Sequence, residues 1–280
     1  MTGMTCGIVA GYDGSPGGAE AVRWAAMEAR ARGTTLTICL AWMPYDVMLP
    51  AESALADLAR QDGQEMLAGG LSYAQSVLGS GRVRPALVAG SAARVLCECS
   101  RAAEMVVVGC RGHSELSGVR LGSVSWQVAG HAAGRVVVVR GRWRPASEAP
   151  DPVVAGVDGS PASQAALSFA FEEAALRDAS LVALCALADA PGVLGGAREM
   201  EEHFSQLMIA EEKEHPEITV LRQVAVGPPR RALLAAASQA QMLVVGRRGR
   251  GGIKGMSLGS VAQAMLHHSP CPVGIVHPHE

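Results

Sequence analysis

The chain has 280 residues, of which 49% are hydrophobic and 18% charged, a composition typical of a globular chain with room for two domains. A formal net charge of −2, with only three Phe, three Tyr and four Trp, disfavours a nucleic-acid-binding surface. No apolar stretch approaches the roughly 20 residues that cross a bilayer, and the N-terminus lacks the basic and apolar regions of a signal peptide, so we expect a cytoplasmic protein without a membrane partner.

The first half of the chain alternates apolar runs with helical patterns. The apolar runs predict five strands, at 7–11, 35–42, 83–88, 105–109 and 135–140. The segments between them are rich in Ala, Leu, Glu and Arg and predict helices at 16–32, 51–78, 91–103 and 123–132. Continuous runs of valine are typical of a parallel sheet covered on both faces. The pattern therefore predicts a doubly wound α/β domain.

The second half repeats this scheme after a linker, residues 141–152, which is rich in proline, charge and small residues. Strands are predicted near 153–157, 181–187, 218–226, 242–246 and 273–276, and helices near 161–177, 197–214, 228–240 and 259–268. We place the boundary near residue 147, which predicts two tandem five-stranded α/β domains, residues 1–146 and residues 147–280.

An internal repeat supports this division. The sequence IVAGYDGSP at 8–16 returns as VVAGVDGSP at 153–161, with seven of nine residues identical. MVVVGCRG at 105–112 returns as MLVVGRRG at 242–249, with six of eight identical. The offset falls from 145 to 137 residues between these two matches, so the second copy is shorter by eight residues. The chain is a tandem duplication.

Two glycine-rich loops share the spacing Gly-x2-Gly-x9-Gly-Ser, at 109–123 and at 246–260, each between a predicted fourth strand and a helix. Ligands of open parallel sheets bind at the carboxyl ends of the strands, where Asp13 and Asp158 also follow strand one. Glycines let a phosphate approach the backbone, and the free N–H groups of a helix N-terminus favour an anion. We interpret each loop as a phosphate cradle; a plain mobile turn is the alternative. The spacing matches neither a Walker P-loop nor a GxGxxG fingerprint.

The two loops differ in charge. The second holds four cations and the first holds two cations with one acid: Arg247, Arg248, Arg250 and Lys254 against Arg111, Arg120 and Glu115. Opposed charges near a polyphosphate cost affinity. We therefore predict that the second site binds ATP more tightly than the first. The alternative is that the cations of the second loop are only solvated surface charges.

The DGSP motifs, the doubled glycine spacing and the closing HHSPCPVGIV at 267–276 together resemble the universal stress protein family, in its tandem two-domain form. The resemblance covers essentially the whole chain. It implies sheets of order 3-2-1-4-5, with ATP or another adenine nucleotide lying across the strand-one and strand-four loops of each domain. Family members with this glycine spacing bind nucleotide more often than those without it, and they generally act as stress-responsive regulators rather than as efficient enzymes.

The resemblance also implies which residues contact the nucleotide. Asp13 and Asp158 match a position that reaches the adenosine, and Ala41 and Ala186 match a backbone contact to adenine. The other expected binding residues lie in the strand-one turns and the glycine loops: Gly11, Ser15, Gly109, Arg111, Gly112, Gly122, Ser123, Val124 and Ser125 in the first domain, and Gly156, Ser160, Gly246, Arg248, Gly249, Gly259, Ser260 and Val261 in the second. The expected cofactor is ATP, alone or with Mg²⁺.

Three functions stay open at this point. The leading one is a nucleotide-dependent regulator; the others are a slow ATP-hydrolysing or adenylating enzyme and a nucleotide-free interaction module. No Cys–His or Ser–His–Asp grouping is discernible, so no catalytic residue is assigned. The aspartates of the DGSP motifs also suit a turn that leads into a helix, a structural role that is compatible with binding.

Metal sites and partners are less defined by the sequence. His267, His268, His277, His279 and Cys271 lack a tetrahedral spacing, so no metal is expected. The seven cysteines are expected to be reduced and mostly buried. Strand five is a predicted edge, and we expect the two domains to pair through it as an internal dimer. A homodimer of chains and regulatory protein partners are not decided by the sequence.

Overall fold

The computed structural model describes residues 6–43, 54–112, 121–143, 151–187, 194–251 and 255–278. The chain divides into two units, residues 1–139 and 140–280. The boundary expected near residue 147 lies outside the described residues, as do residues 51–53 of the second predicted helix. None of the described helices is both long and apolar enough to span a membrane.

The first unit alternates strand and helix from end to end. Its elements are β1 (Cys6–Gly11), α1 (Pro16–Arg32), β2 (Leu36–Trp42), α2 (Ala54–Leu78), a short 3₁₀ turn (Ser80–Arg82), β3 (Val83–Ala89), α3 (Ala92–Cys99), β4 (Ala103–Gly109), α4 (Ser123–His131) and β5 (Arg135–Val139). The strands pair in parallel in the order β3-β2-β1-β4-β5.

The second unit repeats the arrangement. Its elements are β6 (Val153–Val157), α5 (Pro161–Leu176), β7 (Leu181–Leu187), α6 (Leu194–Glu214), β8 (Val220–Val226), α7 (Pro229–Ala237), β9 (Met242–Gly246), α8 (Ser260–His268) and β10 (Val273–Val276). Its parallel order is β8-β7-β6-β9-β10. Both units therefore have the order 3-2-1-4-5, which confirms the predicted fold class.

Helices cover both faces of the first sheet. A Cβ placed at Gly63 of α2 would lie 3.6 Å from Leu40 Cδ2, whereas a Cβ at Gly11 would lie 2.9 Å from Leu96 Cδ1 on α3. Because the two faces are covered, the central strands β1 and β4 bury almost every side chain, as at Ile8 and Val106, which are fully buried. This explains the continuous valine runs of the sequence.

The third helix of each unit is shorter than the sequence pattern predicts. Helix α3 ends at Cys99 rather than near residue 103, and α7 ends at Ala237 rather than near 240. A serine hydroxyl after each helix donates to a carbonyl in the last turn, from Ser100 to Cys97 at 2.7 Å and from Ser238 to Ala235 at 2.7 Å. These bonds compete with continuation of the helix. Strand β4 then begins at residue 103, two residues before its predicted start.

One buried ion pair recurs in both units. Glu28 accepts from Arg32 at 2.6 Å on α1, and Glu173 pairs with Arg177 at the equivalent place on α5. Both glutamates are buried, Glu173 completely. A buried charge is retained only with a good partner, so the arginine at i+4 supplies the cation that each buried glutamate requires.

Candidate functional site

Each unit has a crevice at the carboxyl ends of its first and fourth strands. The first crevice has a volume of about 250 Å³ and the second about 240 Å³. Nearly all the residues expected from the sequence line them: Gly11, Asp13, Ala41, Gly109, Arg111, Gly112, Gly122, Ser123, Val124 and Ser125 in the first, and Gly156, Asp158, Ala186, Gly246, Arg248, Gly249, Gly259, Ser260 and Val261 in the second. Segments far apart in the chain thus meet at one place in each unit.

Ser15 and Ser160 do not line the crevices. Each is buried and serves as the N-cap of the following helix, since Ser15 Oγ accepts from Gly18 N at 3.0 Å and Ser160 Oγ accepts from Ser163 N at 3.2 Å. Proline follows at the first helical position, which suits the fixed φ of proline. The DGSP motif is therefore a helix-start signal, and the structure places these two serines behind the site rather than in it.

The aspartate of each motif uses one carboxylate oxygen for the turn. Asp13 Oδ1 accepts from Ser15 N at 3.0 Å and from Ser15 Oγ at 2.5 Å, and Asp158 Oδ1 makes the same two bonds with Ser160 at 3.0 and 2.6 Å. The intervening Gly14 has φ 79°, a backbone region that favours glycine. The structural role considered for the aspartates is thus present in both units.

The second oxygen of each aspartate points to the glycine loop. A Cβ at Gly112 would lie 2.5 Å from Asp13 Oδ2, and a Cβ at Gly249 would lie 2.0 Å from Asp158 Oδ2. In the second unit, Arg250 N also donates to Asp158 Oδ2 at 2.9 Å. The middle glycine is required because any side chain at this position would clash with the carboxylate. Without a side chain, the glycine loop can approach the strand-one loop.

Hydrogen bonding sets the charge state of Asp158. Burial by itself raises the pKa of this carboxyl, but the bonds from Ser160, Arg250 and Ser163 outweigh burial and hold the pKa below its ordinary value of 3.8. Asp158 is therefore a firmly ionised group near neutral pH. An ionised carboxylate at this place accepts hydrogen bonds from hydroxyl groups, such as those of a ribose, and repels phosphates.

The first glycine of each loop is required for packing. A Cβ at Gly109 would lie 2.3 Å from the carbonyl oxygen of Gly17, and a Cβ at Gly246 would lie 2.6 Å from the carbonyl carbon of Ala162. The end of the fourth strand therefore touches the first turn of the first helix of its unit, α1 or α5. Neither glycine has a positive φ. These two positions therefore require glycine for the close approach to the helix and not for a left-handed backbone conformation.

Each glycine loop closes on the start of a helix. Gly122 N donates to Cys110 O at 2.8 Å, and Gly259 N donates to Arg247 O at 2.9 Å. Gly122 and Gly259 are the N-cap residues of α4 and α8, and neither helix has a side-chain cap. The first backbone N–H groups of both helices are thus left for another acceptor at the crevice, which suits an anion.

Apolar residues that the sequence analysis did not assign form the other wall. Leu96 and Val108 line the first crevice, and Leu233 and Val245 occupy the same places in the second. They belong to helix three and strand four, where a leucine or valine is indistinguishable from a core residue in the sequence. Together with Ala41 or Ala186 they provide an apolar surface of the kind that a nucleobase contacts.

The two crevices differ at several paired positions. The first crevice is lined by Tyr12, Cys39 and Ser125, and the equivalent residues of the second are Val157, Leu184 and Ala262. The Ser125 hydroxyl donates a hydrogen bond to Gly109 O at 2.6 Å. Two arginines, Arg247 and Arg248, line the second crevice, against Arg111 in the first. Arg120, Glu115 and Lys254, which complete the predicted charge difference, lie outside the described residues.

The histidines near the C-terminus do not form a metal centre in the part of the chain that the structure describes, where no three His, Cys, Asp or Glu side chains gather as ligands. His267 and His268 lie side by side with ring centroids 6.1 Å apart, and His279 is outside the described residues. The absence of a metal at this terminus stays a prediction.

The family model of the universal stress protein family matches residues 4–140 and again residues 150–277. The chain belongs to the universal stress protein family. Its two matched segments correspond to the two halves of the repeat, so this universal stress protein has the tandem form that its motifs predict.

Relatives in the same family match this chain over nearly its full length. A universal stress protein of Mycolicibacterium smegmatis is 36% identical over 97% of this chain and 97% of its own length. One from Mycobacterium tuberculosis is 34% identical over 95% and 93%. The crystal structure of a universal stress protein from Archaeoglobus fulgidus covers 99% of this chain and 100% of its own, with a TM-score of 0.72 at 19% identity, which shows the shared fold.

Proposed function

We propose that this universal stress protein binds one adenine nucleotide in each domain and acts as a nucleotide-dependent regulator of the stress response. The observation that carries the proposal is the doubled crevice, in which the aspartate of the DGSP motif, a glycine loop and an uncapped helix N-terminus meet. The duplication kept all three features in both units, although they depend on residues about 100 positions apart within each copy.

The features divide the crevice into two halves that suit the two halves of a nucleotide. The apolar wall with Ala186 and Leu233 suits a base. Asp158 Oδ2 accepts one bond from Arg250 N and has a further lone pair, which suits a ribose hydroxyl. The phosphates belong at the start of α8, where backbone N–H groups and the exposed Ser260 hydroxyl favour negative charge. The cations Arg247 and Arg248 lie on the same side.

The phosphates belong away from the aspartate, because two anions in contact would repel. Mg²⁺, when bound, would further neutralise the phosphate charge, and the hydroxyl of Ser123 or Ser260 would be its ligand from the chain. These residues bind and orient a nucleotide. Within the described residues, Asp13 and Asp158 are the carboxylates that line the crevices, and both are committed to their turns through Oδ1. A regulatory role suits this arrangement better than efficient hydrolysis does.

The test is direct. The purified protein is extracted with acid and any released nucleotide is identified by chromatography; the nucleotide-free protein is then titrated with ATP, ADP and cyclic AMP by calorimetry. We expect two binding events per chain for at least one adenine nucleotide. Absence of binding for all three ligands would refute the proposal and favour a nucleotide-free interaction module.

A further inference from the structure

A pair of cysteines lies at the wall of the first crevice. Cys39, in the middle of β2, lines that crevice and is 2% exposed. Its neighbour Leu40 faces α2, since it lies 3.6 Å from a Cβ placed at Gly63. Successive side chains of a strand point to opposite faces, so Cys39 faces the side of the sheet that α3 covers.

The second cysteine is carried to the same place by α3. Leu96 of this helix packs on Gly11, and Gly11 lies directly beside Cys39 in the sheet register. Cys99 follows Leu96 by three positions and therefore lies on the same face of the helix. This placement directs Cys99 toward Cys39; both cysteines are free, and Cys99 is partly exposed.

The pairing makes the two thiols chemically unequal. The hydrogen bond from Cys39 lowers the pKa of Cys99 to about 7, against the opposing effects of burial and of Glu98. The same hydrogen bond, together with burial, raises the pKa of Cys39. Cys97, on the same helix, has its pKa raised by burial. Near neutral pH Cys99 thus carries the thiolate that reacts with oxidants, and Cys39 lies in position to resolve the product.

We propose that Cys39 and Cys99 form a disulfide in response to peroxide, and that this bond controls the first nucleotide site. The Cys99 thiolate attacks one oxygen of hydrogen peroxide, forms a sulfenic acid and releases hydroxide, which takes a proton to give water. The Cys39 sulfur then attacks the Cys99 sulfur, loses its proton, and expels the second water. Two thiols and one peroxide thus become one disulfide and two waters.

The bond would act on the crevice through α3. Ala92 and Leu96 of this helix line the crevice together with Cys39. A covalent link between the end of α3 and β2 fixes the distance between the two elements that form the wall, and so changes the space for the base. The second unit has Leu184 and Ala236 at the equivalent positions, so the control applies to the first site alone. This consequence rests on the proposed nucleotide binding, whereas formation of the disulfide does not.

Peptide mapping tests the bond itself. The reduced full-length protein is treated with hydrogen peroxide, blocked with iodoacetamide, digested and analysed by mass spectrometry. We expect a peptide pair linked through Cys39 and Cys99 that dithiothreitol removes. Cys99→Ser should abolish the link, and Cys97→Ser, a matched change on the same helix, should keep it. Alkylation of both Cys39 and Cys99 after peroxide treatment would overturn the proposal.

ATP titration tests the control. In Gly249→Val, which disables the second crevice, oxidation should change the dissociation constant of the remaining site by about fivefold or more, reversibly with dithiothreitol. With Cys99→Ser added, oxidation should have no effect. An unchanged constant in protein whose disulfide is verified by mass overturns the control, whereas failure of the reduced wild type to bind any adenine nucleotide refutes the proposed function and leaves the mapping result intact.

Discussion

Arg250 donates its backbone N–H to Asp158 Oδ2 at 2.9 Å, joining two residues that lie 92 positions apart in the chain. Through Oδ1 the same carboxylate accepts the N–H and the hydroxyl of Ser160. Asp158 therefore connects the turn after β6 to the glycine loop after β9, and its charge stabilises both. One ionised side chain thus connects the two loops that would hold a nucleotide.

The lowered pKa of Asp158 has a consequence for stability. A carboxyl whose pKa is lower in the folded state stabilises the fold above its ordinary value of 3.8, and this contribution is lost as the pH falls through the lowered pKa. We expect wild type to unfold at a higher temperature than Asp158→Asn at pH 7, and the difference to shrink below about pH 4. Calorimetry of both proteins across this range measures it. Asp62→Asn, on the exposed face of α2, serves as the control. If the difference in unfolding temperature between wild type and Asp158→Asn were the same at every pH, the prediction would be wrong.

The two nucleotide sites are expected to be unequal. Valine at residue 112 or 249 would place atoms against the Asp13 or Asp158 carboxylate, so each variant should lose about tenfold or more in affinity at its own site, or 1.4 kcal/mol and above. Because the second crevice has the additional arginine, Gly249→Val should remove the tighter of two ATP binding events and Gly112→Val the weaker.

Isothermal titration resolves the two events. Gly81→Val is a suitable control, since a Cβ at residue 81 would meet nothing within 4 Å. Equal loss of ATP binding in Gly112→Val and Gly249→Val would reject the inequality of the sites.

Ser160 is expected to matter for stability more than for binding. Ser160→Ala removes the N-cap of α5 and one hydrogen bond to Asp158, which should cost about 1 kcal/mol. Since the side chain does not line the crevice, the dissociation constant for ATP should change less than in Asp158→Ala. Thermal unfolding and ATP titration of both variants distinguish the roles, with Ser238→Ala, an exposed serine after α7, as the control. A loss of affinity equal to that of Asp158→Ala would indicate that Ser160 contributes directly to nucleotide binding.

The buried pair on α5 should be costly to break. Arg177→Ala leaves the fully buried Glu173 without its cation, and we expect a loss of about 3–5 kcal/mol in the free energy of unfolding. Arg94→Ala breaks the exposed i,i+4 pair with Glu98 and should cost less than about 1 kcal/mol. Urea denaturation of the full chain compares them. Similar costs for the two variants would mean that Glu173 gains protons or water when its partner is removed.

Most strands and helices could be predicted from the sequence because each depends on a short local pattern of residues. Strand β6 and strand β9 run over the predicted residues. The strand order 3-2-1-4-5, which the family resemblance implied, is present in both units. Short apolar runs that alternate with helical patterns have few alternatives to a doubly wound domain. The repeat doubled each signal, so an ambiguous segment in one copy could be read from the other. The helix ends at Cys99 and Ala237 were missed because a serine bond in the last turn competes with a good helical pattern.

The amino-acid order alone determined the duplication, the fold class and the loops that form each crevice, since these depend on spacing and short-range pattern. Only the tertiary structure decided what each residue does there. Packing against α1 and α5, rather than backbone freedom, accounts for Gly109 and Gly246, and helix capping turns Ser15 and Ser160 away from the crevice. Cys39 and Cys99 are 60 positions apart, and nothing in their local sequence indicates a pair. Their contact exists because the sheet register brings Gly11 beside Cys39 and α3 packs across both, a relationship that arises only when distant segments fold together.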